Sequence, residues 1–325
     1  MRPKYPSFGW GLSIALLSAF FFGMSGTLAA GLLKAGWSPL GIVVPRVGIG
    51  AAVMVVPAVI ALRGRWRLLL RNWRLLLGYG LFGITVPQLG HFSAVQYLQV
   101  AQALLIQYLA PLAIVIWLWI RRGERPGRRT VLGSVLAMGG LVLVLQVLGA
   151  GPAFDIRGLI WSLVAMVGNA AYFVYSSDDT SGLPPIVLSA GGCLVATIVL
   201  CLVALLGLLP FTTASVAVDY AGFEVPWWLP LVILGVLSSA ASYVTGIVGA
   251  RLLGTRLASF VGLSEVLFAI ILAALLVGQM LTLAQVLGGV LVLAGVVLVK
   301  LGETTRRDGE PVSAESSAPG LETAR

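Results

Sequence analysis

GERPGRRTVLGSVLAMGGLVLV at residues 123–144 and GQMLTLAQVLGGVLVLAGVVLV at residues 278–299 are two versions of one passage, 155 positions apart. Over their last fourteen positions, 131–144 against 286–299, nine residues are identical without a gap. The flanks differ. The first copy opens with Glu124 among Arg121, Arg122, Arg125, Arg128 and Arg129, whereas the second has Gln279 in place of Glu124 and no basic residue nearby. Basic flanks are retained on the cytoplasmic side of a bilayer, so two like helices with unlike flanks are expected to enter a membrane from opposite faces. Many secondary transporters are built from such an inverted duplication.

Composition places most of the chain in lipid. Of 325 residues, 59% are hydrophobic and only 10% charged, with a mean hydropathy of +1.01. Soluble domains carry about 25% charged residues, so there is too little polar surface here to cover a water-soluble globule. Forty glycines suit close helix packing in a bilayer. The net charge of +9 does not point to nucleic acid, because the basic residues sit in short loops between apolar runs and so set topology. Cys193 and Cys201 lie eight apart in one apolar run, which is neither a disulfide framework nor a metal-site spacing. They read as packing residues, and no metal or cofactor is expected.

A helix needs roughly 20 apolar residues to cross the hydrocarbon core. Ten such spans are expected, at about 10–30, 39–62, 75–95, 99–120, 130–148, 157–176, 184–209, 226–249, 255–277 and 282–300. The fold class is therefore an all-α integral membrane protein of ten transmembrane helices, arranged as two inverted five-helix repeats. Residues 1–148 form the first repeat and 149–302 the second, and the polar stretch 303–325 is expected to be a disordered cytoplasmic tail. Trp10–Ala30 reads as a first span that anchors the chain, not as a cleaved leader.

With both termini cytoplasmic, Lys34 and Arg157 are the only basic residues in outer loops and Arg46 lies within a span. The rest of the 21 fall on the inner side. One inner loop, with Asp178 and Asp179, carries no basic residue; acidic groups weigh little in orientation. Eight tryptophans, among them Trp10, Trp37, Trp66, Trp73, Trp227 and Trp228, fall near span ends, where amphipathic rings gather. The location implied is the plasma or inner membrane.

Two stretches resemble the EamA family of the drug/metabolite transporter superfamily: AVQYLQVAQALLIQYLAPLAIVIWLWIRRGERPGRRTVLGSVLAMGGLVLV at residues 94–144 and ARLLGTRLASFVGLSEVLFAIILAALLVGQMLTLAQVLGGVLVLAGVVLV at residues 250–299. Each is similar to that family's run of a small-residue helix end, a Pro-bearing or Glu-Pro-bearing helix, a Gly-Glu turn and a glycine-spaced helix. The chain departs from the pattern at Val266, aligned with Pro111, and at Gln279. The resemblance implies a ten-helix carrier, often an exporter, of small metabolites such as amino acids.

Ionisable residues inside spans cost about 2.5–3.5 kcal/mol on insertion scales, which singles out Arg46, His91 and Glu265. Glu265 lies about ten residues from the inner end of its expected helix, on the order of 15 Å deep, out of reach of either headgroup layer. It is either a hydrogen-bonded structural group or a carboxylate that accepts a proton or binds a substrate amine. Arg46 is either a snorkelling cation or a partner for a substrate carboxylate or for Glu265. His91 shares a helix face with Thr85 and Gln88; it packs, or it relays protons. Gln107, Asn169 and Tyr172 are further lining candidates, with Gln102, Ser176, Ser238, Ser242 and Thr245 read chiefly as packing groups. Pro111 and Gly262 are hinge candidates.

The expected partners are a small-molecule substrate, the lipid bilayer and protons as coupling ion, without nucleic acid. Nothing in the sequence resembles the phosphate-binding motif GxxxxGK[ST]. One histidine and one deep carboxylate do not make an intramembrane enzyme. The alternatives are a flippase-type carrier of a lipid-linked substrate and a membrane receptor or scaffold that binds without transport.

Overall fold

Capping chemistry sets the helix ends in the computed structural model, which describes residues 8–110, 127–145, 155–176 and 181–307. The helix α1 spans Phe8–Lys34 and α2 spans Pro39–Leu62. Ser38 caps α2, its hydroxyl accepting from Gly41 N at 3.1 Å, with Pro39 at the first helical position. At the other end Arg63 turns left-handed at φ 48° and Gly64 follows at φ 76°, the usual way a helix stops. Then come α3 (Arg67–Arg71) and α4 (Trp73–Gly78), which passes through a π-helical segment, Tyr79–Thr85, into α5 (Val86–Val95). The helix α6 (Val100–Gln107) opens on a reciprocal capping box between Gln99 and Gln102. It is followed by α7 (Arg128–Leu145), α8 (Ile156–Ser176) and α9 (Pro185–Leu205).

Beyond α9 the expected all-α pattern is broken by a small antiparallel hairpin, β1 (Val218–Tyr220) and β2 (Phe223–Val225). It turns on Ala221 and Gly222, both at positive φ. After it α10 (Trp228–Gly235) passes through a second π-helical segment, Val236–Ala241, into α11 (Ser242–Gly262); α12 (Ser264–Val277) and α13 (Leu283–Arg307) complete the chain.

Among the described residues, five helices are long and apolar enough to cross a bilayer: Gly9–Lys34, Pro39–Leu62, Ile156–Ser176, Pro185–Leu205 and Trp228–Leu253. Shorter apolar helices lie at Ser264–Val277 and Leu283–Leu298. The outward faces are apolar, with Val56, Ile60, Val135, Val167, Ile198 and Val290 each at least 60% exposed. Such a surface is stable against lipid and not against water. The molecule is a helical membrane protein.

Several expected boundaries are revised. The helical stretch from Trp228 to Gly262 contains no coil residue, so the loop expected at 250–254 is absent. Packing along α1 nevertheless shows that the chain reverses there. Gly11 lies against Leu252 and Leu253, Gly249 against Ala15, and Ser18 donates to Ser242 O at 2.9 Å. Farther along α1, Gly23 faces Glu265 and Ala269, and Lys34 Nζ donates to Val277 O at 3.5 Å. The partner is antiparallel to α1 down to Leu253 and parallel from Glu265 onward. The seventh span ends at Leu205, not 209, and α13 runs to Arg307, five residues into the stretch expected as tail.

The segment 206–227 folds back on the ends of α1 and α2. Ser38 N donates to Thr212 O at 3.1 Å and Thr212 N to the Ser38 hydroxyl at 2.9 Å. Tyr220 donates to Leu28 O at 2.6 Å, and its ring lies where a side chain at Gly31 would stand. Trp37 stacks on Trp227, ring centroids 5.8 Å apart, so Trp37 is buried here and not an interfacial anchor.

Like contacts recur with the partners exchanged. α7 and α13 pack antiparallel through Gly140 against Gly288 and Gly133 against Gly295. Adding 155 to one member and subtracting it from the other converts each pair into its counterpart. At the ends of α1 and α8, Gly11 meets Leu253 and Gly158 meets Leu98. Leu98 and Leu253 are again 155 apart.

Candidate functional site

Polar groups from six helices converge where the main-chain helices are interrupted. α6 loosens into a turn at Tyr108–Leu109, and the chain between α11 and α12 turns at Leu263. Tyr108 and Leu263 are 155 residues apart, so both copies break at the same place. The two breaks meet: the Tyr108 hydroxyl donates to Glu265 Oε2 at 2.7 Å. Broken helices at membrane depth leave backbone and side-chain polar groups free to face a cavity.

The cavity beside this junction has an empty volume of about 970 Å³, open space at its mouth included. α1 presents Ala15, Ser18, Ala19, Phe22 and Ser25 along one face; the third expected span gives Gln88 and His91; α8 gives Asn169, Tyr172 and Ser176. Gln107, Tyr108, Tyr243, Gly262 and Glu265 complete the polar and hinge-forming part of the wall. Gln88 Nε2 donates to the Tyr243 hydroxyl at 2.8 Å. These two positions are also 155 apart, so equivalent residues of the two copies touch at the centre.

Aromatic rings gather on one side. Phe22 meets Tyr243 edge-on at 5.1 Å and Tyr172 edge-on at 6.2 Å, while Tyr172 and Tyr243 lie 5.9 Å apart. Nδ1 of His91, Oε1 of Gln107 and Nδ2 of Asn169 are buried without a hydrogen-bond partner. Buried polar groups are normally paired, and here the His91 and Gln107 side chains lie against each other. Among the described residues, no group of three or more His, Cys, Asp or Glu side chains is placed to hold a metal ion.

Glu265, His91, Gln88, Gln107, Asn169, Tyr172 and Gly262 therefore all line one cavity. Arg46 does not. It is fully buried, its Nη2 donates to Ser238 O at 2.6 Å and to the Ser238 hydroxyl at 2.9 Å, and its guanidinium lies 5.0 Å from the Phe92 ring centroid. It makes no ion pair with Glu265; the one ion pair among the described residues is Arg157 with Asp155, at 2.7 Å. Pro111 lies outside the described residues. Gln102 serves the α6 cap and donates to Val144 O at 2.9 Å. Thr85, Ser242 and Thr245 bond carbonyls of their own helical segments.

Sequence reading missed Phe22, Tyr108 and Tyr243. For α1 a signal was present: Ala15, Ser18, Ala19, Phe22 and Ser25 recur at helical spacing as a strip of mostly small residues. For Tyr108 and Tyr243 nothing local distinguishes a lining ring from a packed one. Gln279, which replaces the expected turn glutamate, accepts from Val100 N at 3.2 Å and ties the start of α6 to the end of α12.

Comparison with known proteins adds the context. The EamA-like transporter family matches the chain twice, over residues 9–146 and 156–301. An uncharacterized transporter of Archaeoglobus fulgidus is 30% identical over 228 residues, covering 69% of this chain and 76% of that protein. The uncharacterized inner membrane transporter YicL of Salmonella typhimurium is 28% identical over 240 residues, covering 71% and 74%. A solved crystal structure overlays with a TM-score of 0.61 at 22% identity, covering 94% of this chain and all of that one. This last likeness bears on fold alone.

Proposed function

The chain belongs to the EamA-like transporter family, and we propose that it is a secondary active carrier exporting small polar or amphipathic metabolites, with amino acids and related amines in scope. The two halves, residues 1–148 and 149–302, are five-span repeats of inverted topology, ten spans in all. Rocking of one half against the other exposes the cavity to each side in turn.

The observation that carries this reading is the cavity at the meeting of the two equivalent helix breaks, where Tyr108 of one half bonds Glu265 of the other. The exchanged contact pairs support the inversion. α7 and α13 are copies of one helix packed antiparallel, so the axis relating them is perpendicular to both and lies in the plane of a membrane they cross. Export is the direction that the family resemblance implies. Basic residues exposed at Arg63, Arg65, Arg67, Arg71 and Arg74 favour a cytoplasmic face for α3 and the α4 start, with both termini on that side and the cell membrane as location.

Proton coupling through Glu265 is part of the proposal. The groups facing it are the Tyr108 hydroxyl and, across the cavity, Tyr172 and His91; Arg46 lies beyond the wall. The test is counterflow in proteoliposomes over a panel of amino acids and amines, with and without a pH gradient. The intact protein is expected to move a subset of the panel, faster with the gradient. Glu265→Gln is expected to lose the gradient's effect on whatever exchange it retains. A Glu265→Gln protein with unchanged gradient dependence would remove Glu265 from the coupling.

A further inference from the structure

We propose that the cavity selects amines that carry a positive charge and no carboxylate, with the ammonium held by Glu265 beside the rings of Phe22, Tyr172 and Tyr243. This takes its setting from the transport reading above and names the substrate class of the same cavity.

The charge inventory of the wall leads to it. Glu265 is the one carboxylate among the described lining residues, and neither lysine nor arginine is among them. The nearest buried cation, Arg46, is held on Ser238 and against Phe92, behind the wall and not on it. An amino acid would bring its own carboxylate into a region of low dielectric that already holds Glu265 and, among the described lining residues, offers no lysine or arginine but only the buried imidazole of His91. An unpaired buried charge of that kind is strongly disfavoured. A simple ammonium instead supplies the partner that Glu265 lacks.

The rings give the second, independent support. Phe22 stands at 82° to Tyr243 and 77° to Tyr172, and Tyr172 is tilted 57° from Tyr243. The three rings pack edge-on or tilted against one another with centroids 5.1–6.2 Å apart, and a ring presented to the cavity attracts a cation lying within about 6 Å of its centroid. Phe22 and Tyr172 are only partly buried although they lie inside the protein; part of each faces the cavity. Glu265 accepts from Tyr108 through Oε2, which leaves Oε1 for an N–H donor.

Three probes that share a phenyl ring isolate the charge: phenethylamine (cation), phenylalanine (zwitterion) and 3-phenylpropionate (anion). Binding of each to the purified full-length protein in lipid nanodiscs is measured by calorimetry, and counterflow of each in proteoliposomes. Phenethylamine is expected to bind at least about tenfold more tightly than phenylalanine, and phenylpropionate not at all. Glu265→Gln is expected to erase that preference and Glu265→Asp to retain part of it. Tyr172→Leu is expected to weaken the amine by about three- to tenfold, with folding of each variant checked by thermal unfolding. Equal or tighter binding of phenylalanine, absence of phenethylamine binding, or a preference that survives in Glu265→Gln overturns the assignment. Selective amine binding without counterflow leaves it standing and sinks the transport reading; counterflow of phenylalanine without amine preference does the reverse.

Discussion

Arg46 and Glu265 show why a buried charge has to be judged by what it touches. Glu265 has a hydroxyl donor and a cavity, and both are properties of a working group. Arg46 has one engaged nitrogen, while its Nε and Nη1 are buried without partners, and no carboxylate touches it, the Glu265 charge acting on it only from a distance. Buried cations in that condition can be exchanged for apolar side chains of similar size at little cost, sometimes with a gain of about 1–4 kcal/mol. Ser238 O keeps a donor when the arginine is gone, because the Ser242 hydroxyl also bonds it at 2.7 Å. Arg46→Met is therefore expected to leave thermal stability in detergent unchanged or raised. A loss of about 3 kcal/mol or more would mean that the guanidinium supports the packing of α2 against the second π segment.

At the scale of elements, the duplicated helices keep their irregularities as well as their regular parts. The π segments Tyr79–Thr85 and Val236–Ala241 fall within two residues of the 155 offset, and the breaks at Tyr108 and Leu263 fall on it. π-helical turns commonly mark functional sites in helices, and here the first segment lines the cavity through Gly83, while Tyr243, two residues past the second, lines it from α11. The α7–α13 contact gives a sharp test of packing. A side chain at Gly288 would strike the Gly140 carbonyl and the backbone of Val144, whereas one at Gly139, next in sequence to Gly140, would meet no atom within 4 Å. Gly288→Leu is expected to destabilise by about 1–3 kcal/mol or more, read as a lower unfolding temperature. Gly139→Leu is expected to change it little. Equal effects at the two sites would mean that this helix pair is not closely packed.

At the scale of the whole molecule, the exchanged contacts and the charged flanks point to one topology, and labelling can test it. A tag accessible at Arg71 is expected on the cytoplasmic face, and one at Phe223, 74% exposed at the tip of the hairpin, on the outer face. Both tags on one face would end the inverted-repeat reading. That the chain lives in lipid and repeats itself was legible in the residues, because apolar runs and flanking charge are local quantities set by the bilayer's thickness and potential. Glu265, His91 and Gln107 were legible as candidates for the same reason: a polar group in an apolar run is costly wherever it points. Tertiary structure alone decided which of them share a wall, that Arg46 stands behind it, and that Tyr108 and Tyr243 face inward. A helix face acquires a direction only when its neighbours dock, and those neighbours lie as far as 243 residues away along the chain.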